Sequence, residues 1–180
     1  MKIIRYVTLS PSCTIDFHPD SALLLPGRPM FYPDFGGAWI AEPMLAVRLN
    51  RLGKSIAPQF AGRYYDALAL AVRIRPLALD PASGGELSGM DCSITHGEWM
   101  APHELLGIGT AMFGDISVEL PDKAGLIDAA VSRASRHTTV KMGDIVLLPL
   151  KGASDIPLTP RSRLIATAPA SHPLLNVKVV

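Results

Sequence analysis

Proline and glycine residues are spread along the whole chain, and they limit the length of any helix or strand that it can form. The 180 residues include 16 prolines and 15 glycines. Proline ends or kinks a helix and interrupts a central strand, whereas glycine favours turns. The segments between them are short apolar runs with little helical periodicity, which predicts a β-rich chain. The predicted strands cover residues 3–8, 22–25, 44–50, 68–75, 116–119, 145–148, 163–167 and 175–179.

One longer segment favours an α-helix. Residues 123–134 follow a proline, and their apolar residues share one helical face, formed by Leu126, Ile127, Ala130 and Val131. A short helical turn is predicted at 56–60, and a flexible loop at Pro81-Ala82-Ser83-Gly84-Gly85. The sequence contains no internal repeat, and we therefore predict a single domain over residues 1–180.

The composition argues against several classes of protein. Apolar residues make up 48% of the chain, charged residues 18%, and the formal net charge is +1. Such a chain can bury a core, and without a basic run it is not expected to bind nucleic acid. Its longest apolar runs, 67–72 and 145–148, are far shorter than the ~20 residues of a membrane-spanning helix, so no membrane partner is expected. Because Cys13 and Cys92 are the only cysteines, we expect reduced thiols and a cytoplasmic location.

Several blocks of sequence follow one another between residue 19 and about residue 150. They read PDSALL (19–24) with GRPMFYPDF (27–35), AEPMLAVRLNRLGK (41–54), ALALAVRIR (67–75), SGMD (88–91) with GEWM (97–100), and VKMGDI (140–145). In this order they resemble the motifs of the fumarylacetoacetate hydrolase family. The resemblance implies a β-rich α+β fold, in which mixed β-sheets roll around a central pocket with few short helices. It also implies a homodimer.

The chemistry of that family uses three carboxylates to hold Mg²⁺ or Mn²⁺, which polarises a 1,3-dicarbonyl or 2-oxo acid. On this sequence the resemblance places the first ligand position at Glu42, the second at Met44 and the third at Ala71. A thioether and a methyl group are poor ligands for a hard cation. We therefore expect no metal and no other cofactor, with Mg²⁺ or Mn²⁺ bound only if the family's chemistry survives.

Two arginines follow Ala71 on the same face of the predicted strand. Arg73 lies one pleat beyond Ala71, and we predict that its guanidinium folds back toward the family's metal position and pairs with Glu42. The alternative is that Arg73 extends to the surface from a strand edge. Arg73 and Arg75 are also the candidate residues for binding a substrate or a small carboxylate.

A few other side chains are candidates for chemistry. His18 can line the central pocket and is a candidate catalytic residue, although a surface position is expected. Asp91, the second candidate, ends the block that begins at Ser88, where the family has a pocket lysine. Cys92 is predicted to be a buried structural thiol. The histidines and glutamates between residues 96 and 104 are interpreted as solvated loop side chains rather than a metal site.

Three functions are compatible with this pattern. The first is a family homologue that has lost metal-dependent catalysis and has a binding, regulatory or structural role, which the losses at Met44, Ala71 and Ser88 favour. The second is a divergent hydrolase, decarboxylase or isomerase that acts on a small 2-oxo or 1,3-dicarbonyl acid. The third is a metal-free binder of a small carboxylate.

Overall fold

Short strands make up most of the fold. The computed structural model describes residues 1–8, 14–35, 37–78, 84–121, 123–169 and 172–180. The strands of this part of the chain are β1 (Lys2–Tyr6), β2 (Ile15–Pro19), β3 (Leu23–Leu24), β4 (Trp39–Leu49), β5 (Tyr65–Pro76), β6 (Ile94–His96), β7 (Thr110–Phe113), β8 (Ile116–Glu119), β9 (Ile145–Pro149), β10 (Ile156–Leu158), β11 (Arg163–Thr167) and β12 (Pro173–Lys178). Its α-helices are α1 (Pro58–Ala61), α2 (Gly84–Ser88), α3 (Pro102–Gly107) and α4 (Asp128–His137).

The larger sheet is mixed and curls back on itself. Its strand order is β2-β1-β9-β4-β5-β6-β3, and β10 pairs with β4 beside the end of β9. The two edge strands, β2 and β3, are joined in sequence by a single 3-10 turn at Asp20–Ala22. Because three residues cannot reach across a flat sheet of this width, the sheet has to bend until its edges meet. The bend creates a concave inner face that the β2–β3 connection covers.

Both faces of the central strands are buried. Alternate residues of β4, such as Leu45 and Val47, belong to the main core, which the second sheet and α4 complete. The residues between them form a smaller cluster on the inner face, together with residues of β1, β5, β6 and β9: Ile3, Met44, Ala46, Ala69, Ala71, Ile94, Ile145 and Leu147. Strands buried on two faces are expected to be continuously apolar, as residues 67–72 of β5 are. The alanines also leave room for the tight curl.

The second sheet has the order β12-β11-β7-β8 and packs against the larger one. The chain passes very close to β12 at Gly97, where an added Cβ would lie 1.8 Å from the carbonyl oxygen of Leu174. The Glu98 N–H donates to that same oxygen. Only a residue without a side chain can occupy this crossing, so the glycine fixes how the two sheets meet.

Most of the predicted elements are confirmed. Each of the eight predicted strands overlaps an observed one, and the predicted helix corresponds to a π-helical stretch, Lys123–Ile127, that continues into α4. The predictions omit β2, β6, β7 and β10, which have at most five residues each. Of the predicted loop at 81–85, residues 81–83 lie outside the described part, and Gly84 and Gly85 begin α2. In the described part of the chain, none of the helices has the length and apolar character to cross a bilayer.

Candidate functional site

The register of β4 and β5 brings the family's ligand positions together. Glu42 pairs with Arg73 across the two strands, and Met44 pairs with Ala71. Directly opposed residues in an antiparallel pair project from the same face. Met44 and Ala71 belong to the inner cluster, so Glu42 and Arg73 also project from the concave side of the curled sheet.

Guanidinium groups engage both oxygens of the Glu42 carboxylate. Arg73 donates from Nη1 to Oε2 at 3.0 Å, and Arg75 donates from Nε to Oε1 at 2.5 Å. Nη1 of Arg5, on β1, lies 3.5 Å from Oε2. The predicted Glu42–Arg73 pair is therefore confirmed. The alternative, in which Arg73 extends to the surface, is wrong because only 4% of this residue is exposed.

Two further carboxylates balance the arginines. Asp16 lies opposite Arg5 on β2 and accepts a hydrogen bond from its Nη2 at 2.6 Å. Asp155 accepts one from Nη2 of Arg75 at 2.8 Å. We call these six residues the arginine cluster: Arg5, Arg73, Arg75, Asp16, Glu42 and Asp155. Three cations face three anions, so the ionised side chains of the cluster sum to zero charge.

Burial and the opposite charges of neighbouring side chains shift the pKa values of Glu42 and Arg73 in opposite directions. Burial on its own would raise the pKa of Glu42, but Arg73, Arg75 and Arg5 together lower that pKa below its usual value of 4.5. The carboxylate is therefore ionised at neutral pH. Burial and the neighbouring Arg5 lower the pKa of Arg73, and Glu42 opposes this effect. Glu42 is thus the anion that allows a guanidinium to remain charged inside the sheet.

His18 is part of the same buried region. It pairs with Ile3 across β1 and β2, which places it on the inner face, and it is 1% exposed. The expected surface position is therefore wrong. Sequence reasoning missed this burial because it did not predict the short strand β2. Burial, followed by the charges of Arg73 and Arg5, lowers the pKa of His18 to about 4. The ring is therefore neutral at physiological pH, which avoids adding a fourth cation.

Other predicted side chains are not in the cluster. Asp91 and Cys92 are exposed in the turn after α2, and Asp91 is not among the described residues that contact Glu42. The prediction that Cys92 is a buried thiol is wrong, because the turn puts it in the left-handed region, with φ of 54°, and at the surface. Cys13, the other cysteine, lies outside the described residues.

The prediction of a solvated loop at residues 96–104 is only partly right. His103 and Glu104 are exposed, and Glu98 is exposed and paired with His172 at 3.0 Å. His96 is buried on β6 instead, where it pairs in register with Ala71, and its ring lies 4.3 Å from that of Trp99. Burial lowers its pKa. His96 shares a face of β6 with the buried Ile94, and a strand of three residues is too short to reveal this from the sequence.

A small pocket opens beside Glu42, where β4 changes its neighbour. Ala41 pairs with Ile156 of β10, and Met44 pairs with Pro149 of β9. Leu77, the residue after β5, donates its backbone N–H to the carbonyl oxygen of Ala38. Successive residues of a strand direct their backbone hydrogen-bonding groups to opposite sides, so those of Pro43 point away from β5, toward β9 and β10. Proline has no N–H to leave unpaired at this break in the sheet. The pocket has a volume of about 140 Å³, and its lining includes Arg5, Glu42, Met44, Ser154 and Asp155.

The side chains at this site do not fit a divalent cation. Met44 and Ala71 supply no hard oxygen ligand, and both oxygens of Glu42 accept contacts from cations. Among the described residues, no group of three or more histidine, cysteine, aspartate and glutamate side chains is arranged to hold a metal ion. The arrangement suits an anion better than a cation, because the three guanidinium groups carry more N–H donors than the four hydrogen bonds that they make to the carboxylates.

Sequence reasoning missed three members of the arginine cluster, Arg5, Asp16 and Asp155. Arg5 carried a signal, since it interrupts an otherwise apolar strand at a position that alternates with Ile3. Asp16 and Asp155 carried none. Asp16 lies in a short strand, 11 residues from its partner Arg5. Asp155 lies in a short loop, 80 residues from its partner Arg75.

Solved structures share this fold at low sequence identity. No protein-family model matches the sequence, and no curated protein matches it. The 5-carboxymethyl-2-hydroxymuconate delta-isomerase from Mycobacterium smegmatis matches with a TM-score of 0.79 and 17% identity, over 99% of this chain and 78% of that one. The maleylpyruvate hydrolase from Sphingobium sp. SYK-6 matches with a TM-score of 0.78 and 19% identity, over 99% and 70%.

A third solved structure contains a metal. The fumarylpyruvate hydrolase from Pseudomonas aeruginosa, in complex with Mn²⁺ and pyruvate, matches with a TM-score of 0.73 and 16% identity, over 99% of this chain and 88% of that one. These matches confirm the predicted fold, that of the fumarylacetoacetate hydrolase family.

Proposed function

We propose that this chain, which has the fold of the fumarylacetoacetate hydrolase family, is a member that has lost metal-dependent catalysis and acts as a binding, regulatory or structural protein. The observation that carries the proposal is the state of Glu42. The only ligand position that keeps its acid has both oxygens engaged by Arg73, Arg75 and Arg5. Guanidinium groups thus supply the positive charge beside Glu42, whereas the solved fumarylpyruvate hydrolase is in complex with Mn²⁺.

Electrostatics supports this reading. A divalent cation attracts a carboxylate 4 Å away by ~8 kcal/mol at an effective dielectric of 20. Each acid lost at Met44 and Ala71 removes an attraction of that order before relaxation. Arg73 adds a repulsion of ~5 kcal/mol for a cation about 7 Å away. A cation would also have to displace three arginines from Glu42, so the metal-free pairing is the more stable arrangement.

Rebuilding the metal site tests the proposal. The triple variant Met44→Glu, Ala71→Asp, Arg73→Thr introduces two acids and removes the most buried of the three guanidinium groups that contact Glu42. Its matched control, Met44→Gln, Ala71→Asn, Arg73→Thr, has nearly the same shape without the charges. Binding of Mn²⁺ is measured by electron paramagnetic resonance after dialysis against a chelator, and circular dichroism checks that each variant is folded.

We expect the wild-type protein and the amide control to leave Mn²⁺ free, and the triple acid variant to bind it. Stoichiometric Mn²⁺ on the wild-type protein would overturn the proposal, as would hydrolysis of an acylpyruvate by it. Either result would favour the alternative, a divergent hydrolase, decarboxylase or isomerase of a small 2-oxo or 1,3-dicarbonyl acid. The proposal includes a two-fold homodimer, which light scattering of the purified protein tests.

A further inference from the structure

The buried arginines of the cluster have more hydrogen-bond donors than acceptors. A guanidinium carries five N–H donors. In the described part of the chain, Arg73 donates to Glu42 alone, and the Nε atoms of Arg73 and Arg5 are buried without a partner. Both residues are more than nine-tenths buried. The site therefore has an unmet requirement for acceptor atoms, which a cation or an apolar ligand cannot meet.

One acceptor of the cluster is placed where a ligand could replace it. Asp155 lies in the segment 150–155 between β9 and β10, and its side chain is 46% exposed. It reaches over the pocket to Nη2 of Arg75 at 2.8 Å, whereas the other carboxylate on Arg75, that of Glu42, comes from the sheet. An exposed ion pair contributes little stability, so a competing carboxylate can displace Asp155 at small cost.

The pocket reaches Arg5 directly, and it reaches Arg75 through Asp155, which lines the pocket and accepts from Nη2 of Arg75. Its lining includes Arg5, Glu42, Ser154 and Asp155, and Met44 forms part of its apolar wall. Arg5 donates from Nη2 to Asp16, but its Nη1 makes only a long contact with Glu42, 3.5 Å, so Nη1 can donate to a closer acceptor. A carboxylate is planar and acceptor-only, which matches the fork of a guanidinium, and a volume of about 140 Å³ admits only a small one.

We propose that this pocket binds a small carboxylate on Arg5 and Arg75, and that Asp155 occupies the ligand's place on Arg75 until the ligand enters. The inference rests on the proposed function, because it assumes that no metal ion holds Glu42. It assigns a ligand class to the same site and gives the segment 150–155 the role of an internal competitor.

The test is a titration of the metal-free protein with acetate, with EDTA present throughout. The chain has seven methionines, and labelling their methyl groups with ¹³C makes Met44, in the pocket wall, a local reporter. The variant Met44→Leu assigns its signal. Acetamide, the uncharged analogue of acetate, and sodium chloride at equal ionic strength are the ligand controls. The variants are Asp155→Asn, Arg75→Lys and, as matched control, Asp66→Asn, which removes an exposed aspartate that pairs with Arg48 outside the pocket.

We expect acetate to shift the Met44 signal with a dissociation constant in the millimolar range, and acetamide and chloride to leave it in place. Asp155→Asn should tighten acetate binding by about two- to five-fold, the range set by an exposed ion pair. Arg75→Lys should weaken it by about ten-fold, since a lysine cannot form the two parallel hydrogen bonds. Asp66→Asn should bind as the wild type does.

The inference is overturned if acetate leaves the Met44 signal unmoved in both the wild type and Asp155→Asn, if acetamide acts as acetate does, or if Asp155→Asn and Asp66→Asn bind equally. Because these titrations contain EDTA, they are independent of the Mn²⁺ measurement. A silent titration without Mn²⁺ binding rejects only the carboxylate site, whereas Mn²⁺ on the wild type rejects the proposed function.

Discussion

Replacement of Glu42 by glutamine is the most direct perturbation of the arginine cluster. The variant keeps the shape of the side chain but removes the one anion that all three arginines contact. Arg75 keeps Asp155 and Arg5 keeps Asp16, whereas Arg73 loses its only charged partner in the described part of the chain. A buried, unpaired guanidinium is costly, so Glu42→Gln should destabilise the fold.

The expected size of the effect follows from the burial of the pair. Removing one partner of a buried ion pair costs about 3–5 kcal/mol. The Glu42 side chain is 20% exposed, which places the estimate at the lower end, about 3 kcal/mol. For a chain of this length 1 kcal/mol corresponds to roughly 2–4 °C, so the melting temperature should fall by about 6–12 °C. Arg73→Met should cost about 1 kcal/mol or less, because Glu42 keeps two cations and an unpaired Nε is removed.

Urea denaturation at pH 7 and calorimetry measure both variants, with Asp66→Asn as the control for an exposed pair. The pH dependence gives a second check. Because folding lowers the pKa of Glu42, its stabilising effect is present above pH 4.5 and is lost as the pH falls through the lower, folded value. The difference between wild type and Glu42→Gln should therefore shrink in acid. An Arg73→Met variant that is as unstable as Glu42→Gln would refute the view that the cluster depends on Glu42 as the shared partner of its three arginines.

Two other features of the fold give sharp predictions. Since folding lowers the pKa of His18 from 6.5 to about 4, the unfolded chain binds the extra proton, and this histidine alone should cost the wild type about 2 kcal/mol of stability between pH 7 and pH 5. Urea denaturation should find this loss much reduced in His18→Gln, and an unchanged loss would contradict the assignment. Gly97→Ala should lower the melting temperature steeply, because its Cβ would meet the carbonyl of Leu174 at 1.8 Å. Gly107→Ala, whose Cβ would meet nothing within 4 Å, is its control and should melt within a few degrees of the wild type.

The predictability of the fold and of the site differed for a physical reason. Long strands such as β4 and β5 can be predicted from their apolar sequences, because both of their faces are buried. The Glu42–Arg73 pair was also predictable, since positions on neighbouring strands of a known motif fix which side chains share a face. The position of His18 was not, because its burial depends on the curl of the sheet. Asp155 likewise gains its role only through a contact 80 residues distant in sequence.

Under the proposed function, the charges at positions 42, 44, 71 and 73 depend on one another. In the family pattern three carboxylates and a divalent cation sum to −1, whereas Glu42 and Arg73 with neutral Met44 and Ala71 sum to zero. Restoring only the acid at position 44 or 71 would supply a second anion that Arg73 can bind, so the guanidinium would be held more firmly and a metal would gain nothing. Removing only Arg73 would leave one acid, which is too few for a hard cation. Each single substitution should therefore remain metal-free, and only the combined change should produce Mn²⁺ binding.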